Sequence, residues 1–202
     1  MNGRTARGGD TARPTGQETR AEIMDATYRA LCKHGYADLT IQTIADEFSK
    51  SKSLLYYHYD AKDDLLVEFL DWLVEEFTAE VDADSGADPE DRIRTLFALL
   101  VPGDEDDRDG IRLSLLELRM RAPHDERFAE RFGALDDRVT EEFAAAVRDG
   151  IARDQFRDVD PEHAAETLYS LATGTTVRQL TTDRDDPGVR RGLDAVLDWL
   201  HA

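Results

Sequence analysis

Four neighbouring side chains combine a cation, a hydroxyl and two phenols: Lys52, Ser53, Tyr56 and Tyr57. If this stretch is helical, Leu55 and the tyrosine four residues later share the inner face and these four side chains are left outside. A solvated helix seldom exposes such a set. Lysine and phenol groups bind phosphate oxygens, and short polar groups reach base edges. The face therefore predicts a helix that lies in a groove of DNA.

The residues before this face predict the elements that hold it. Apolar side chains recur at i, i+3, i+4 and i+7 from Ile41 to Phe48, which is typical of a short amphipathic helix. Thr40 precedes that helix and can cap its free amides. The run Ser49 to Ser51 interrupts the pattern, and Ser51 can cap the next helix. Two short helices joined by a tight turn are a helix-turn-helix arrangement.

The segment SKSLLYYHYDAKDDLL resembles the recognition-helix signature of TetR-type transcriptional regulators, and 18–66 is similar to their N-terminal DNA-binding domain. Two positions depart from the family pattern. Ser49 stands where the family has a glycine that allows a positive φ in the turn, and Lys50 stands where it has an apolar residue. The lysine stem must therefore lie on the core or point outward. The following residues fall at the family's spacing: Ile44, Ala45, Ser51, Lys52, Ser53, Leu55, Tyr56, His58, Tyr59 and Lys62.

The resemblance implies a homodimer that places one recognition helix in the major groove of each half-site of a palindromic operator in double-stranded DNA. We expect Lys52, Ser53 and Gln42 to contact bases. Lys62 either contacts phosphate from the start of the fourth helix or is a solvated surface charge. The expected phosphate contacts are Thr40, Tyr56, Tyr57, His58 and Lys62, with Ser51 at the N-terminus of the recognition helix.

Apolar periodicity predicts an all-α chain. Residues 1–17 form a predicted disordered tail, 18–62 a three-helix DNA-binding domain, and 63–202 a helical ligand-binding and dimerisation domain of five to six helices. In the tail, Arg4, Arg7 and Arg13, with Arg20 beyond it, either follow the DNA or belong to a frayed terminus. Gly35 is the expected C-terminal cap of the first helix. The helices predicted after it run over about 41–48, 52–59, 60–81, 89–101, 111–121, 125–153, 161–180 and 187–200.

The C-terminal part, from QFRDVDPEHAAETLYSLATGTTVRQL onward, resembles TetR-type regulators of the betaine-repressor kind. That resemblance implies dimerisation through the last two helices and a cavity for an unidentified small-molecule effector. The apolar stripes of the two helices either form the dimer or are intramolecular core. The stripes are Ala164, Ala165, Leu168, Leu171, Ala172, Gly174 and Thr175, and then Val189, Leu193, Val196, Leu197 and Leu200. Candidate pocket residues, each of which can also be plain core, are Trp72, Phe97, Met120, Phe143 and Tyr169.

The net charge of −19 is unsuited to nonspecific nucleic-acid binding. It is unevenly distributed, however. Residues 1–62 carry nine basic and eight acidic side chains, whereas 63–202 carry 16 and 36. All four lysines fall in the first part. Abundant aspartate, with arginine almost replacing lysine, also indicates adaptation to a cytoplasm of very high salt, where contacts that depend on counterion release weaken.

Other function classes lack their sequence features. The five histidines show no metal-ligand spacing, and there is no phosphate loop or nucleophile motif, so we expect no enzyme, metal or cofactor. The single cysteine, Cys32, is expected to be a small core residue and excludes an internal disulfide. The absence of a long apolar run predicts a cytoplasmic protein. The alternative function is a TetR-fold adaptor that acts mainly through a protein partner on its acidic surface.

Overall fold

The computed structural model describes residues 16–50, 52–83, 87–102, 109–182 and 188–201, and within them it is helical without strands. A short 3-10 turn, Ala122–His124, precedes the seventh helix. The helices are α1 (Gly16–His34), α2 (Ile41–Glu47), α3 (Lys52–His58), α4 (Lys62–Ala83), α5 (Pro89–Leu100), α6 (Asp109–Arg119), α7 (Glu126–Ala152), α8 (Pro161–Thr181) and α9 (Gly188–His201).

Helix starts follow local capping chemistry. Thr40 caps α2 reciprocally, because its hydroxyl accepts from the Thr43 amide and its own amide donates to the Thr43 hydroxyl. Asp88 caps α5 and Asp160 caps α8, each followed by a proline whose missing N–H costs nothing at that position. Gly35 ends α1 with φ +70°, donating to Leu31 O, as the sequence predicts.

Three predicted helix starts were wrong by two residues, those of α1, α4 and α6, and α6 begins at Asp109 instead of Ile111. Helix α1 begins at Gly16, so the last two residues of the expected tail are helical; residues 1–15 lie outside the described part of the chain. Tyr59 is buried and its amide donates to Leu55 O, which fixes the end of α3. The chain then bends at Asp60 and Ala61, so α4 begins at Lys62. Asp60 therefore lies in a bend and not in the first turn of α4.

The core has two parts, and α4 contributes to both. The first part joins α1–α4 to one side of α6 and the start of α7, through Ile111, Leu118 and Phe128. The second joins the end of α4 to α5, α7, α8 and α9 around Phe143. The helix-turn-helix and the remaining helices thus share the first core, which means that a shift in α6 or α7 reaches the DNA-binding helices through packed side chains.

Helix α6 approaches α1 closely. A Cβ at Gly110 would lie 2.5 Å from Cys32 O, so this crossing requires glycine. Four residues further along α6, Ser114 is fully buried and its hydroxyl donates to Leu31 O at 3.3 Å. Cys32 is half-buried at this contact and packs against the first core, as expected. The contact fixes α6 against the C-terminal end of α1.

Candidate nucleic-acid interface and effector cavity

Helix α3 presents the predicted recognition face to solvent. Leu55 is fully buried, while Tyr56 and Tyr57 are 51% and 84% exposed. Lys52, Ser53 and His58 are exposed too, and the His58 ring lies edge-on to Tyr57 with ring centroids 5.5 Å apart. Aromatic side chains left this open, beside a lysine and a hydroxyl, fit a nucleic-acid surface, because a phenol combines a polar tip with a flat apolar ring.

Asp46 of α2 organises two predicted base contacts. Its carboxylate accepts from Gln42 Nε2 at 3.0 Å and pairs with Lys52 Nζ. The pKa of Asp46 is lowered, mainly by the hydrogen bond that Lys52 donates. Without DNA, Gln42 and Lys52 are therefore held by a shared carboxylate on the exposed side of the motif. Either side chain must leave Asp46, or extend past it, to reach a base edge.

The two departures from the family pattern meet on a single carboxylate. Glu22 of α1 accepts from Ser49 Oγ at 3.3 Å, and its other oxygen lies 2.8 Å from Lys50 Nζ. Ser49 does not have a positive φ; among described residues other than glycine only Asp154 does. The turn thus forms without left-handed backbone at Ser49, and Lys50 points to a partner on α1.

Lys62, at the first position of α4, lies over the ring of Tyr36, with Nζ 4.4 Å from the centroid. Arg121, just after α6, donates to Tyr36 Oη at 2.5 Å and to Asp63 Oδ2 at 2.8 Å. The guanidinium therefore ties the chain before α7 to the end of α1 and the start of α4. We call Tyr36, Lys62, Asp63 and Arg121 the α4 anchor.

The remaining predicted DNA contacts have different placements. Thr40 is exposed, with its hydroxyl engaged in the cap of α2. Ser51 lies outside the described residues, as do Arg4, Arg7 and Arg13 of the expected tail. Arg20 lies on α1 and donates to Glu68 at 2.5 Å and Glu75 at 3.1 Å of α4, so it braces two helices.

A cavity of about 400 Å³ lies among α1, α4, α5, α6, α7 and α8. Its walls are mainly apolar and aromatic, which is typical of small-molecule sites. Two of the predicted pocket residues, Trp72 and Tyr169, line it. The aromatic lining residues are Tyr28, Trp72, Phe77, Phe132 and Tyr169, and the charged ones are Glu76, Glu80, Arg112 and Arg119.

Both cavity arginines have partners within the protein. Arg119 forms a two-pronged ion pair with Asp136, at 2.8 and 2.6 Å, and its guanidinium lies 4.6 Å from the Phe132 ring centroid. Arg112 is buried, 3.4 Å from Asp109, and donates to the carbonyls of Ala98 and Leu99.

Tyr169 shares the carboxylate of Asp136 with Arg119. Its hydroxyl donates to that carboxylate, and burial, followed by this hydrogen bond, raises the pKa of Tyr169 to about 12. Its phenol therefore stays protonated at neutral pH. The wall formed by α6, α7 and α8 is in this way electrically balanced by its own residues.

The other three pocket candidates do not line the cavity. Phe97 and Phe143 are buried in the second core, so they are core residues. Met120 was expected on an inner face but is 65% exposed, because α6 ends at Arg119 and the chain turns there. The sequence analysis missed Arg112 and Arg119, although two arginines seven apart share one face of a largely apolar helix and could have indicated the cavity.

The predicted dimer stripes turn largely inward. On α8 the buried residues are Ala164, Ala165, Leu168, Ala172 and Thr175, and on α9 they are Leu193, Leu197 and Leu200. They contribute mainly to the second core, which favours the intramolecular alternative for those side chains. The outer side of α8 exposes small residues, including Ser170, Gly174 and Val177, and α9 exposes Ala195 and Trp199. These outer side chains are open to solvent in the single chain.

The described helices include none with the length and hydropathy of a membrane span. Within the same ranges, no cluster of histidine, cysteine and carboxylate side chains has the arrangement of a metal site.

Comparison with known proteins identifies both halves. Residues 23–69 match the family model of bacterial regulatory proteins of the tetR family, and 89–202 match the C-terminal model of BetI-type transcriptional repressors. A TetR transcription regulator from Haloarcula marismortui, a halophile, is 39% identical, with 91% of this chain and 97% of that one covered and a TM-score of 0.75.

Two further relatives cover most of the chain. A transcriptional regulator from Saccharomonospora viridis, solved in complex with choline, is 25% identical over 91% of this chain and 95% of its own, with a TM-score of 0.73. The repressor AcnR of Corynebacterium diphtheriae is 26% identical over 180 residues, 88% of each chain. These proteins are regulators, not enzymes. This chain belongs to the TetR family of DNA-binding transcriptional regulators, with a C-terminal domain of the BetI repressor type.

Proposed function

We propose that the protein is a homodimeric repressor that works in the cytoplasm and releases a palindromic operator when a small molecule enters its cavity. The observation that supports it best is the exposed face of α3, where Tyr56 and Tyr57 stand beside Lys52 and Ser53. Lys52, Ser53 and Gln42 read bases. The phosphate contacts are Thr40, Tyr56, Tyr57, His58 and Lys62, with Ser51 at the helix start.

The dimer forms through the outer sides of α8 and α9, where Gly174 and Ser170 allow close approach and Trp199 adds apolar area. Two-fold symmetry then places the two α3 helices in successive major grooves, about 34 Å apart or more. A ligand that favours a wider separation of these helices releases the DNA by a shift of population. The choline bound by the Saccharomonospora protein supports a small molecule as the effector.

The experiment is selection of binding sequences from a random duplex pool, in roughly molar potassium chloride and again in dilute salt. We expect one palindrome to be recovered in both. Recovery of no sequence by protein shown to be folded and dimeric would contradict the proposal. A recovered non-palindromic site would contradict the symmetric mode of binding.

A further inference from the structure

One carboxylate lies among the side chains that are assigned to base contacts. The side chain of Asp46, near the end of α2, is 54% exposed, and its Oδ1 accepts from both Gln42 Nε2 and Lys52 Nζ. Every phosphate of DNA is negative, so a carboxylate at this position opposes binding to all sequences alike. It therefore costs affinity, and what it can improve is the discrimination between sequences.

The contact joins the two helices of the motif. Lys52 is the first residue of α3, and Gln42 lies one turn before Asp46 on α2. A lysine ammonium sits on a flexible stem, and the carboxylate limits where that ammonium lies. Because the Lys52 side chain is 51% exposed, the pair is of the weak kind found at protein surfaces, and DNA can rearrange it at little cost.

Both partners keep free hydrogen-bonding groups while they contact Asp46. An ammonium has three N–H donors, so two donors of Lys52 extend past the carboxylate, and guanine offers two adjacent acceptors, O6 and N7. Gln42 retains one N–H donor and its carbonyl acceptor, the set that matches N7 and N6 of adenine. Base edges carry no net charge, so Asp46 does not repel them as it repels phosphate.

We propose that Asp46 is a positioning residue for sequence recognition, which directs Lys52 to a guanine and Gln42 to an adenine and keeps both side chains away from phosphate. A phosphate that approaches the Lys52 ammonium also approaches Asp46, and the repulsion opposes this contact at every sequence. The carboxylate thus weakens nonspecific binding more than operator binding. This inference rests on the proposed function, in which Lys52 and Gln42 read bases.

The test measures the affinity of the full chain, by fluorescence anisotropy, for the selected operator and for a duplex of the same composition in shuffled order. The test variant is Asp46→Asn, which keeps the size of the side chain and removes its charge. The matched control is Asp38→Asn, which removes an exposed carboxylate before α2 that is not bonded to either base-contact residue. The two variants change the net charge equally, and circular dichroism verifies their helical fold.

We expect Asp46→Asn to bind the shuffled duplex about tenfold more tightly and the operator with little change, so that discrimination between the two falls about tenfold. The slope of log nonspecific affinity against log salt should steepen by about 1.8, because Lys52 of each subunit gains a phosphate contact. Asp38→Asn should raise both affinities by the same factor and leave their ratio unchanged. In a Lys52→Met background, Asp46→Asn should no longer steepen the slope.

A ratio that Asp46→Asn lowers no more than Asp38→Asn does would overturn the inference, as would an unchanged salt slope. So would a steepening that persists with Lys52→Met, because Asp46 would then act on phosphate without the lysine. The unmodified protein separates this inference from the function on which it rests. If that protein prefers no sequence, the proposed function fails and the inference with it, whereas a preference that Asp46→Asn leaves intact overturns the inference alone.

Discussion

Individual residues of the recognition face are held by internal partners before DNA arrives. Asp46 holds Gln42 and Lys52, and the ring of Tyr36 lies under Lys62. Limiting the freedom of a long side chain in the free protein reduces the ordering cost of binding. Asp46 also repels phosphate, so it favours a position of Lys52 near base edges over one near the backbone.

At the residue scale, we expect Tyr56→Phe with Lys62→Ala to weaken operator binding about tenfold without changing the helical circular dichroism, because the variant loses one hydroxyl and one cation for phosphate. The slope of log affinity against log salt should shrink by about 1.8, because the dimer loses one Lys62 phosphate contact in each half-site. Lys33→Ala is the control, because Lys33 pairs with Glu47 away from the recognition face. Affinity and slope equal to those of the unmodified protein would remove the two assigned roles.

Helix α4 links the cavity to the DNA-binding helices. Its first turn is fixed by the α4 anchor, and further along the same helix Arg127 and Arg131 of α7 pair with Asp64 and Asp71 at 2.7 Å each. Glu76 and Glu80 lie on this helix as well. A ligand that displaces α4 therefore also displaces Lys62, because both the cavity wall and Lys62 belong to this helix.

At the element scale, we expect Arg121→Ala to lower operator affinity several-fold, because Tyr36 and the start of α4 must then be ordered on binding, at about 0.5–1.5 kcal/mol per side chain. Arg121→Lys should be almost as weak, since an ammonium cannot hold Tyr36 and Asp63 in one fork. Arg148→Ala, which breaks an exposed pair with Glu141 within α7, is the control. The comparison is made by fluorescence anisotropy on the selected operator, and equal affinities of the Arg121→Ala and Arg148→Ala proteins would rule out the anchor.

The end of α9 is held to α5 by His201. Its Nε2 lies 2.8 Å from Glu90 and its Nδ1 lies 3.1 Å from Gln155 O, so both nitrogens donate when the ring is protonated. The pKa of His201 is raised above the ordinary histidine value of 6.5, mainly by the hydrogen bond with Glu90. The stabilisation is therefore complete below pH 6.5 and is lost as pH rises through the folded-state pKa.

We accordingly expect the ring resonances of His201 to titrate above the ordinary histidine range, and Glu90→Gln to return the pKa towards it. Nuclear magnetic resonance across neutral pH measures both. A His201 titration that Glu90→Gln leaves unmoved would disprove the contact.

Net charge is distributed unevenly along the whole chain. The first 62 residues are nearly neutral, and the remainder carries a large excess of carboxylates. Repulsion from DNA therefore acts mainly on the C-terminal helices, which orients the α2–α3 end towards the duplex. The same excess of charge repels itself within the folded chain when salt does not screen it.

At the scale of the molecule, we expect thermal stability to rise with sodium chloride from about 0.1 M to above 1 M, where the screening length falls from about 10 Å to about 3 Å. Circular dichroism melting measures it. Sucrose, which strengthens burial without screening charge, is the comparison. A midpoint that falls in chloride, or that rises no more than in sucrose, would contradict adaptation of this surface to high salt.

The helices and the exposed set on α3 were predictable from the amino-acid sequence, because both depend on local spacing. Apolar residues at helical intervals, the cap at Thr40, the prolines at Pro89 and Pro161 and the exposed set on α3 all follow from neighbours within one or two turns. The inward turn of Leu55 and Tyr59 was predictable for the same reason.

Which apolar stripes face inward, which side chains meet across helices and where the cavity lies depend on how the helices pack, and local spacing does not predict it. Most of the α8 stripe is buried against its own chain, and Ser49 and Lys50 meet Glu22. Arg121 bonds Tyr36, 85 positions away, and Asp63, 58 positions away. Phe143 became core and Glu76 became cavity wall because helix packing, rather than helix periodicity, sets which face meets which neighbour. Long-range pairing of charges leaves no trace in local spacing, so the electrostatics of the site had to be observed.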